Sequence, residues 1–273
     1  PIAMEAVSLG VNQEQITTFL LPVQSSMHPL YNPDLDYSVY LSQSFFYVLF
    51  QILILLMTVY AVGSELKFHT AQEWMTTARG NILTAIVGKL LPYTFIFSII
   101  GILANYVLYG VLHIPFQGSL LMMNLMTVLF IIATQALAVF IFSIFPRIAY
   151  IISIVSMVGS LGATLSGVTF PVTSMYPPVH AASYLFPVRH FTEIAQSMLY
   201  FDSGFGYYWQ STAILLLFPL LALLILPRLR NWILKHGEET ETRMPANHTA
   251  PLSLSDIICR EWRATVSYTH LTL

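Results

Sequence analysis

The stretch VRHFTEIAQ brings a cation, an imidazole and a carboxylate together at Arg189, His190 and Glu193. Such a set can work as an acid–base cluster in an integral-membrane enzyme when a nucleophile or a metal stands beside it. No such companion is found in the sequence. Arg189 and Glu193 are four residues apart, so they can equally pair across one turn of a helix. A second suggestive pair is Gly88-Lys89, the ending of a phosphate-binding loop. That loop requires GxxxxGK followed by Ser or Thr. Here Leu90 follows Lys89 and Gly80 lies too far upstream, so ATP is not bound by that route. The zinc signature HExxH and the nucleophile elbow GxSxG do not occur. The eight histidines are scattered, and His113, His180 and His190 are expected to be solvated or hydrogen-bonded imidazoles. No catalytic residue, metal ligand or cofactor is therefore assigned to this chain.

The elements that must carry these residues are membrane helices. The composition is 56% hydrophobic and 9% charged, with mean hydropathy +0.70, whereas soluble domains carry roughly 25% charged residues. A net charge of -2 without a clustered basic face argues against a nucleic-acid partner. The single cysteine, Cys259, can form neither an intrachain disulfide nor a thiolate cluster. About 20 apolar residues are needed to cross the hydrocarbon core as a helix. Five segments meet that length: 41–62, 90–112, 119–145, 148–170 and 207–226. None holds Asp, Glu, Lys or Arg in its interior. An ion-coupled carrier would need such a titratable group; only amides occupy the spans, at Gln51, Asn105, Asn124 and Gln135, and they are expected to bond between helices.

Lys and Arg set the orientation. Lys67, Arg79 and Lys89 follow the first span, Arg147 separates the third and fourth, and Arg228, Arg230 and Lys235 follow the fifth, while the alternate loops hold only Arg189. Residues 63–89 and the tail are thus placed in the cytoplasm, and residues 1–40, 113–117 and 172–206 outside it. Residues 1–40 are expected to be the end of an extracytoplasmic domain in a chain whose true beginning is missing. The membrane domain is assigned to 41–228 and a polar, disordered cytoplasmic tail to 229–255. Residues 256–266 alternate apolar and basic positions like the start of a membrane-surface helix, and 267–273 fit no surrounding pattern and are excluded from the fold as foreign.

Two stretches carry a more specific pattern. In 148–170, Ser156, Gly159, Ser160, Gly162, Ala163, Ser166 and Gly167 form overlapping pairs four apart, which let two helix backbones approach closely. That approach serves packing within one subunit, a subunit interface or a translocation pathway. In 63–93, Glu65, Lys67, Glu73, Trp74 and Arg79 precede an apolar face of Leu83, Ile86, Val87 and Leu90. Such an amphipathic helix lies on the membrane surface, docks in a groove of a soluble partner, or simply faces lipid with its charges solvated.

The second stretch resembles the loop of ABC-2 type transporter permeases, with Glu65, Thr70, Glu73 and Trp74 leading to Gly88-Lys89-Leu90-Leu91-Pro92-Tyr93. His69 stands where the family usually has Gly, and Ala78-Arg79 replaces a common Thr-Pro or Ser-Pro. Residues 30–41 resemble the junction into the second helix of that family. Residues 166–200 resemble its outer segment, with Pro171, Met175, Pro187 and Glu193 in place, Arg189 among them, and Gln196 where Arg is common. Residues 256–264 resemble the start of another such permease.

The resemblance implies an all-α membrane protein: five helices of a six-helix permease, a cytoplasmic coupling helix and short outer re-entrant or interfacial helices. It implies a multi-pass subunit of the inner membrane that exports an unidentified compound, hydrophobic or drug-like. It further implies pairing with a second permease, as a homodimer or a paired permease, with a cytoplasmic ABC ATPase that holds ATP and Mg, and with a periplasmic adaptor. The coupling residues would be Glu65, Lys67, Thr70, Glu73, Trp74, Arg79 and Lys89.

Overall fold

The computed structural model describes residues 37–243 apart from 69, 115, 147 and 201–204. The expectations for residues 1–36, for His69 and Arg147, for Cys259, and for 244–273 with its second permease start and foreign tail lie outside the described residues. Every regular element among the described residues is helical, because in lipid a helix satisfies its own backbone groups. The order is α1 (Tyr37–Lys67), α2 (Ala71–Thr77), α3 (Ile82–Asn105, continued by a π turn Tyr106–Val111), α4 (Leu120–Ile144), α5 (Ile148–Leu165), a short 3-10 turn (Val172–Ser174), α6 (Pro177–Ser183), α7 (Pro187–Tyr200) and α8 (Phe205–Arg243).

Among the described residues, four helices are long and apolar enough to cross a membrane: Leu41–Lys67, Ile82–Val111, Leu120–Ile144 and Phe205–Lys235. With α5 they form a five-helix array, an all-α membrane fold. α4 is its centre, packed against α1, α3, α5, α7 and α8. Its composition explains that place: Met123, Phe130, Ile131, Ala133, Ala138 and Phe142 are fully buried on several sides of the helix, as expected of one that is apolar all round. Two clusters share the core. Tyr47, Phe130 and Phe191 anchor the one that includes α7, with Phe191 4.3 Å from Tyr47 and 4.6 Å from Phe130 between ring centroids. Leu55, Val59, Phe142 and Val155 anchor the one that includes α2.

The amides of the spans tie helices together as expected. Asn105 on α3 receives the Tyr47 hydroxyl from α1 and donates to Asn124 (2.8 Å) and Thr127 (3.1 Å) on α4. Thr94 on α3 donates to Gln135 on α4 at 2.7 Å. Gln51 accepts from the Val188 backbone at 2.8 Å, which draws the start of α7 to the middle of α1.

Three boundaries differ from the sequence expectation, each for a local reason. The span expected over 148–170 stops at Leu165, an 18-residue helix roughly 27 Å long at 1.5 Å per residue. Gly167 then turns left-handed (φ +87°), where a Cβ would lie 2.7 Å from Val172 Cγ2, and Ser166 Oγ accepts from Val168 N at 3.3 Å. The span expected from residue 90 instead begins at Ile82, because Asn81 caps it by accepting from Leu83 N at 3.0 Å. The amphipathic stretch and the span are therefore one helix. The tail expected to be disordered from 229 is helical as far as Arg243. Leu229 (0% exposed) and Ile233 (2%) are buried in the cluster that includes α2, and this packing carries the helix past residue 226, the expected end of the span.

Candidate coupling element and re-entrant segment

α2 is a short helix held from behind. Its seven residues are too few to be stable alone, so neighbouring elements must fix it. Glu65, in the last turn of α1, forms an ion pair with Lys89 on α3 and accepts from the Thr70 hydroxyl. Thr70 N also donates to the Glu65 carbonyl at 3.0 Å, closing the turn that leads into α2. Trp74 Nε1 donates to the Ala85 carbonyl on α3 at 3.2 Å. Met75 is buried (3% exposed), and Trp74 and Ala78 pack partly buried beside it. α8 touches the same helix.

The opposite face of α2 is free. Glu73, Thr76 and Thr77 are exposed, and the two threonine hydroxyls donate back to the Glu73 carbonyl at 2.9 and 2.8 Å. The exit is a tight turn: Arg79 (φ +54°) and Gly80 (φ +73°) are both left-handed, and Gly80 N donates to the Met75 carbonyl at 2.9 Å, a C-terminal cap of the kind that closes helices. Lys67 is exposed, 5.6 Å above the Phe68 ring. The expected residues thus divide in two. Glu65, Thr70, Trp74 and Lys89 build the clamp, and Glu73, Lys67 and Arg79 face outward. The apolar face also needs correction: Ile82, Ala85, Ile86 and Leu90 are buried, while Leu83 and Val87 are 41% and 50% exposed. α3 turns that stripe towards the cluster that includes α2. Residues that the sequence reading did not single out, Asn81, Leu229 and Ile233, complete the support; Asn before an apolar run was the available cap signal for the first.

At the opposite end of the array lie α6 and α7, the short helices expected to be re-entrant or interfacial on the outer side. Pro187 opens α7, a favoured first-turn residue because it lacks the N–H that would go unpaired. Gly162 on α5 sits against this junction; a Cβ there would lie 2.7 Å from Gln51 Nε2 and 3.0 Å from Phe186 Cδ1. Gly159 is similarly close to α1, 2.8 Å from Ile52 Cγ1. The small-residue stripe therefore packs α5 on α1 within the subunit at Gly159 and Gly162. Ser156 and Ser160 lie less buried and donate to carbonyls of their own helix. Ala163 is partly buried against the core and Ser166 Oγ donates to its carbonyl at 2.7 Å.

Arg189, His190 and Glu193 do not hydrogen-bond to one another among the described residues. Arg189 Nη1 donates to Ser183 Oγ, and its guanidinium lies over the Tyr184 ring, 4.2 Å from the centroid. His190 Nε2 lies 3.1 Å from the Tyr184 carbonyl, so it carries the proton. Burial holds the His190 imidazole below its ordinary value; the Arg189 charge adds to this, while the Tyr184 carbonyl and Glu193 carboxylate oppose it. Glu193 is exposed and accepts from Ser211 on α8 at 2.8 Å. Pro171 precedes the 3-10 turn and is exposed.

Comparisons with known proteins identify the family of the chain. A family model described as ABC-2 family transporter protein matches residues 2–226. The curated "Probable multidrug ABC transporter permease YbhS" of Escherichia coli (strain K12) is 27% identical over 154 residues, 53% of this chain and 40% of that protein. The "Probable multidrug ABC transporter permease YbhR" of the same strain is 24% identical over 195 residues, 71% of this chain and 51% of that protein. The chain spans about half the length of the curated relatives it matches. No solved structure matches it.

Proposed function

The chain belongs to the ABC-2 transporter family, and we propose that it is the membrane subunit of an ATP-binding-cassette exporter that moves a hydrophobic, drug-like compound out of the cytoplasm. A cytoplasmic ATPase subunit binds and hydrolyses Mg-ATP and docks on α2. A second permease subunit, identical or paired, completes the translocation pathway in the inner membrane, and a periplasmic adaptor continues it outside. The relatives, both named as probable multidrug permeases, support the substrate class, and the basic loops at the α2 end support the cytoplasmic placement of that helix.

One observation carries the docking role. The back of α2 is fixed to α1 and α3 by the Glu65–Lys89 pair and by the Trp74–Ala85 hydrogen bond, while Glu73, Thr76 and Thr77 stand exposed on its front. A helix fixed behind and free in front transmits a push on its free face to the two long helices behind it.

Glu73→Arg tests this without touching the clamp, since the Glu73 side chain is exposed. In membranes containing the full chain and its ATPase, the variant is expected to insert normally and to lose transport-coupled ATP hydrolysis by about tenfold or more, as reversed charge at a docking surface costs several kcal/mol. Wild-type coupling in Glu73→Arg removes α2 as the docking site.

A further inference from the structure

A cavity of about 590 Å³ opens at the α7 end of the array, within the size range of small-molecule sites. Its walls come from the end of α5, the 3-10 turn, α6, α7 and the start of α8, and include Ser166, His180, Arg189, Thr192, Glu193 and Tyr207. Arg189, Thr192, Glu193 and Gln196 recur at helical spacing, so α7 presents one polar face to this space.

Two features of that face are costly without an occupant. Arg189 is only 6% exposed, and among the described residues it is the one buried side chain of Asp, Glu, Lys or Arg type. No carboxylate pairs with it there; it is met by a serine hydroxyl and a tyrosine ring, and its Nε has no partner. A buried charge left without a counter-charge is strongly unfavourable. Thr192, 5% exposed, likewise leaves its Oγ1 without a partner. Both side chains line the cavity. One helical turn along stands Glu193, exposed and, among the described residues, accepting at its carboxylate from Ser211, which leaves acceptor capacity for a cation.

We propose that this cavity binds a zwitterionic phosphate ester of the phosphoethanolamine type, its oxyanion held by Arg189 and Thr192 and its ammonium by Glu193. The order of charges along α7 sets the selectivity: a phosphate alone satisfies Arg189 but meets the Glu193 carboxylate unfavourably, and an amine alone leaves Arg189 uncompensated. The ester reaches the cavity either as a membrane phospholipid head group or as a free soluble molecule. The inference stands on the cavity and is independent of the transport reading.

The test uses the full chain purified in a phosphate-free nonionic detergent. Calorimetric titration with O-phosphoethanolamine, inorganic phosphate and ethanolamine is run beside native mass spectrometry of protein from nanodiscs of phosphatidylethanolamine, phosphatidylcholine or phosphatidylglycerol. Expected is binding of the ethanolamine ester, in soluble or lipid form, above every other probe. Retention of the lipid without binding of the soluble ester identifies a head group as the source; binding of both at similar strength identifies the free ester. Arg189→Gln should abolish binding, and Glu193→Gln should remove the preference for the amine-bearing ester over phosphate. Thr192→Val guards against misfolding: it keeps the side-chain shape and deletes a hydroxyl that has no partner in the fold. It should leave thermal stability unchanged or raised while weakening binding about tenfold, one charge-assisted hydrogen bond. Absence of binding by all probes, or wild-type binding in both Thr192→Val and Glu193→Gln, overturns the proposal.

Discussion

The Glu65–Lys89 pair is the point where the clamp behind α2 can be measured. Side-chain exposures are 15% for Glu65 and 27% for Lys89, so the pair is neither fully wet nor sealed. Exposed pairs contribute about 0–1 kcal/mol, and breaking a sealed pair costs about 3–5 kcal/mol because one charge stays buried alone. A pair at this degree of occlusion belongs between those limits, so Glu65→Gln is expected to destabilise by about 1–3 kcal/mol. The choice of Gln matters. Its amide oxygen can still accept from the Thr70 hydroxyl, so the loss isolates the charge rather than the whole turn. Lys89→Met is the matching change on α3, retaining the apolar stem.

The assay is a double-mutant cycle on unfolding of the purified chain in one detergent, with Glu65→Gln, Lys89→Met and the pair. Contacting charges should give a coupling energy of about 1–2 kcal/mol. Hydrogen exchange supplies the local readout: if the pair pins α2, the amides of Ala71–Thr77 should exchange faster in either single variant, by about tenfold for each 1.4 kcal/mol lost. Additivity within about 0.3 kcal/mol, with α2 exchange unchanged, would refute the clamp.

Other outcomes are equally specific. Gly162→Ala should lose stability on balance: the new Cβ, 2.7 Å from Gln51 Nε2 and 3.0 Å from Phe186, costs about 1–3 kcal/mol of overpacking against about 1 kcal/mol gained in helix propensity. Gly88→Ala has nothing within 4 Å of the new Cβ and should stabilise by about 0.5–1 kcal/mol; the same thermal-unfolding assay compares the two, and equal shifts would refute the close approach of α5 to α1. His190 gives a pH signature. Its folded value lies below the unfolded one, so the unfolded chain binds more protons; the stability it contributes is present above about pH 6.5 and is lost as pH falls through the folded value. His190→Gln should flatten the thermal-stability profile below that pH, and an unchanged profile would show that the imidazole does not titrate with unfolding.

Much of this architecture was legible because lipid imposes simple rules. Charge exclusion and length located the apolar helices, and the amides at Gln51, Asn105, Asn124 and Gln135 had to find partners on other elements, as they do. What periodicity missed depended on particular tertiary contacts. Leu83 and Val87 share a helical stripe with Ile86 and Leu90, yet the buried stripe runs through Ile82 and Ala85, because Asn81 starts the helix earlier. Trp74 is expected among the coupling residues, but its indole N–H bonds to a carbonyl eleven residues on, and no sequence pattern encodes that pairing. The extension of α8 follows from Leu229 and Ile233 packing into the cluster that includes α2, which hydropathy beyond the span could not reveal. Thr192 carried a faint signal, standing three residues after Arg189 on the same face, but only the cavity gives that spacing a meaning.

The two ends of the array handle charge by opposite means, and the contrast separates structural groups from ligand-binding ones. Near α2, the occluded carboxylate of Glu65 meets both the Lys89 ammonium and the Thr70 hydroxyl, so its charge is answered inside the fold. Along the spans, Asn105 alone engages Tyr47, Asn124 and Thr127. Neutral buried groups at Gln51, Thr58, Thr134 and Gln135 also go unpaired, but a buried guanidinium with no carboxylate among the described residues carries a far larger deficit, which grows as water is excluded. Replacing Arg189 with an uncharged residue of similar length should therefore stabilise the empty protein or leave it unchanged, whereas neutralising Glu65 should weaken it. If instead Arg189→Gln destabilises as much as Glu65→Gln does, the Ser183 and Tyr184 contacts are themselves sufficient to hold the charge, and the cavity loses its claim to an anionic occupant.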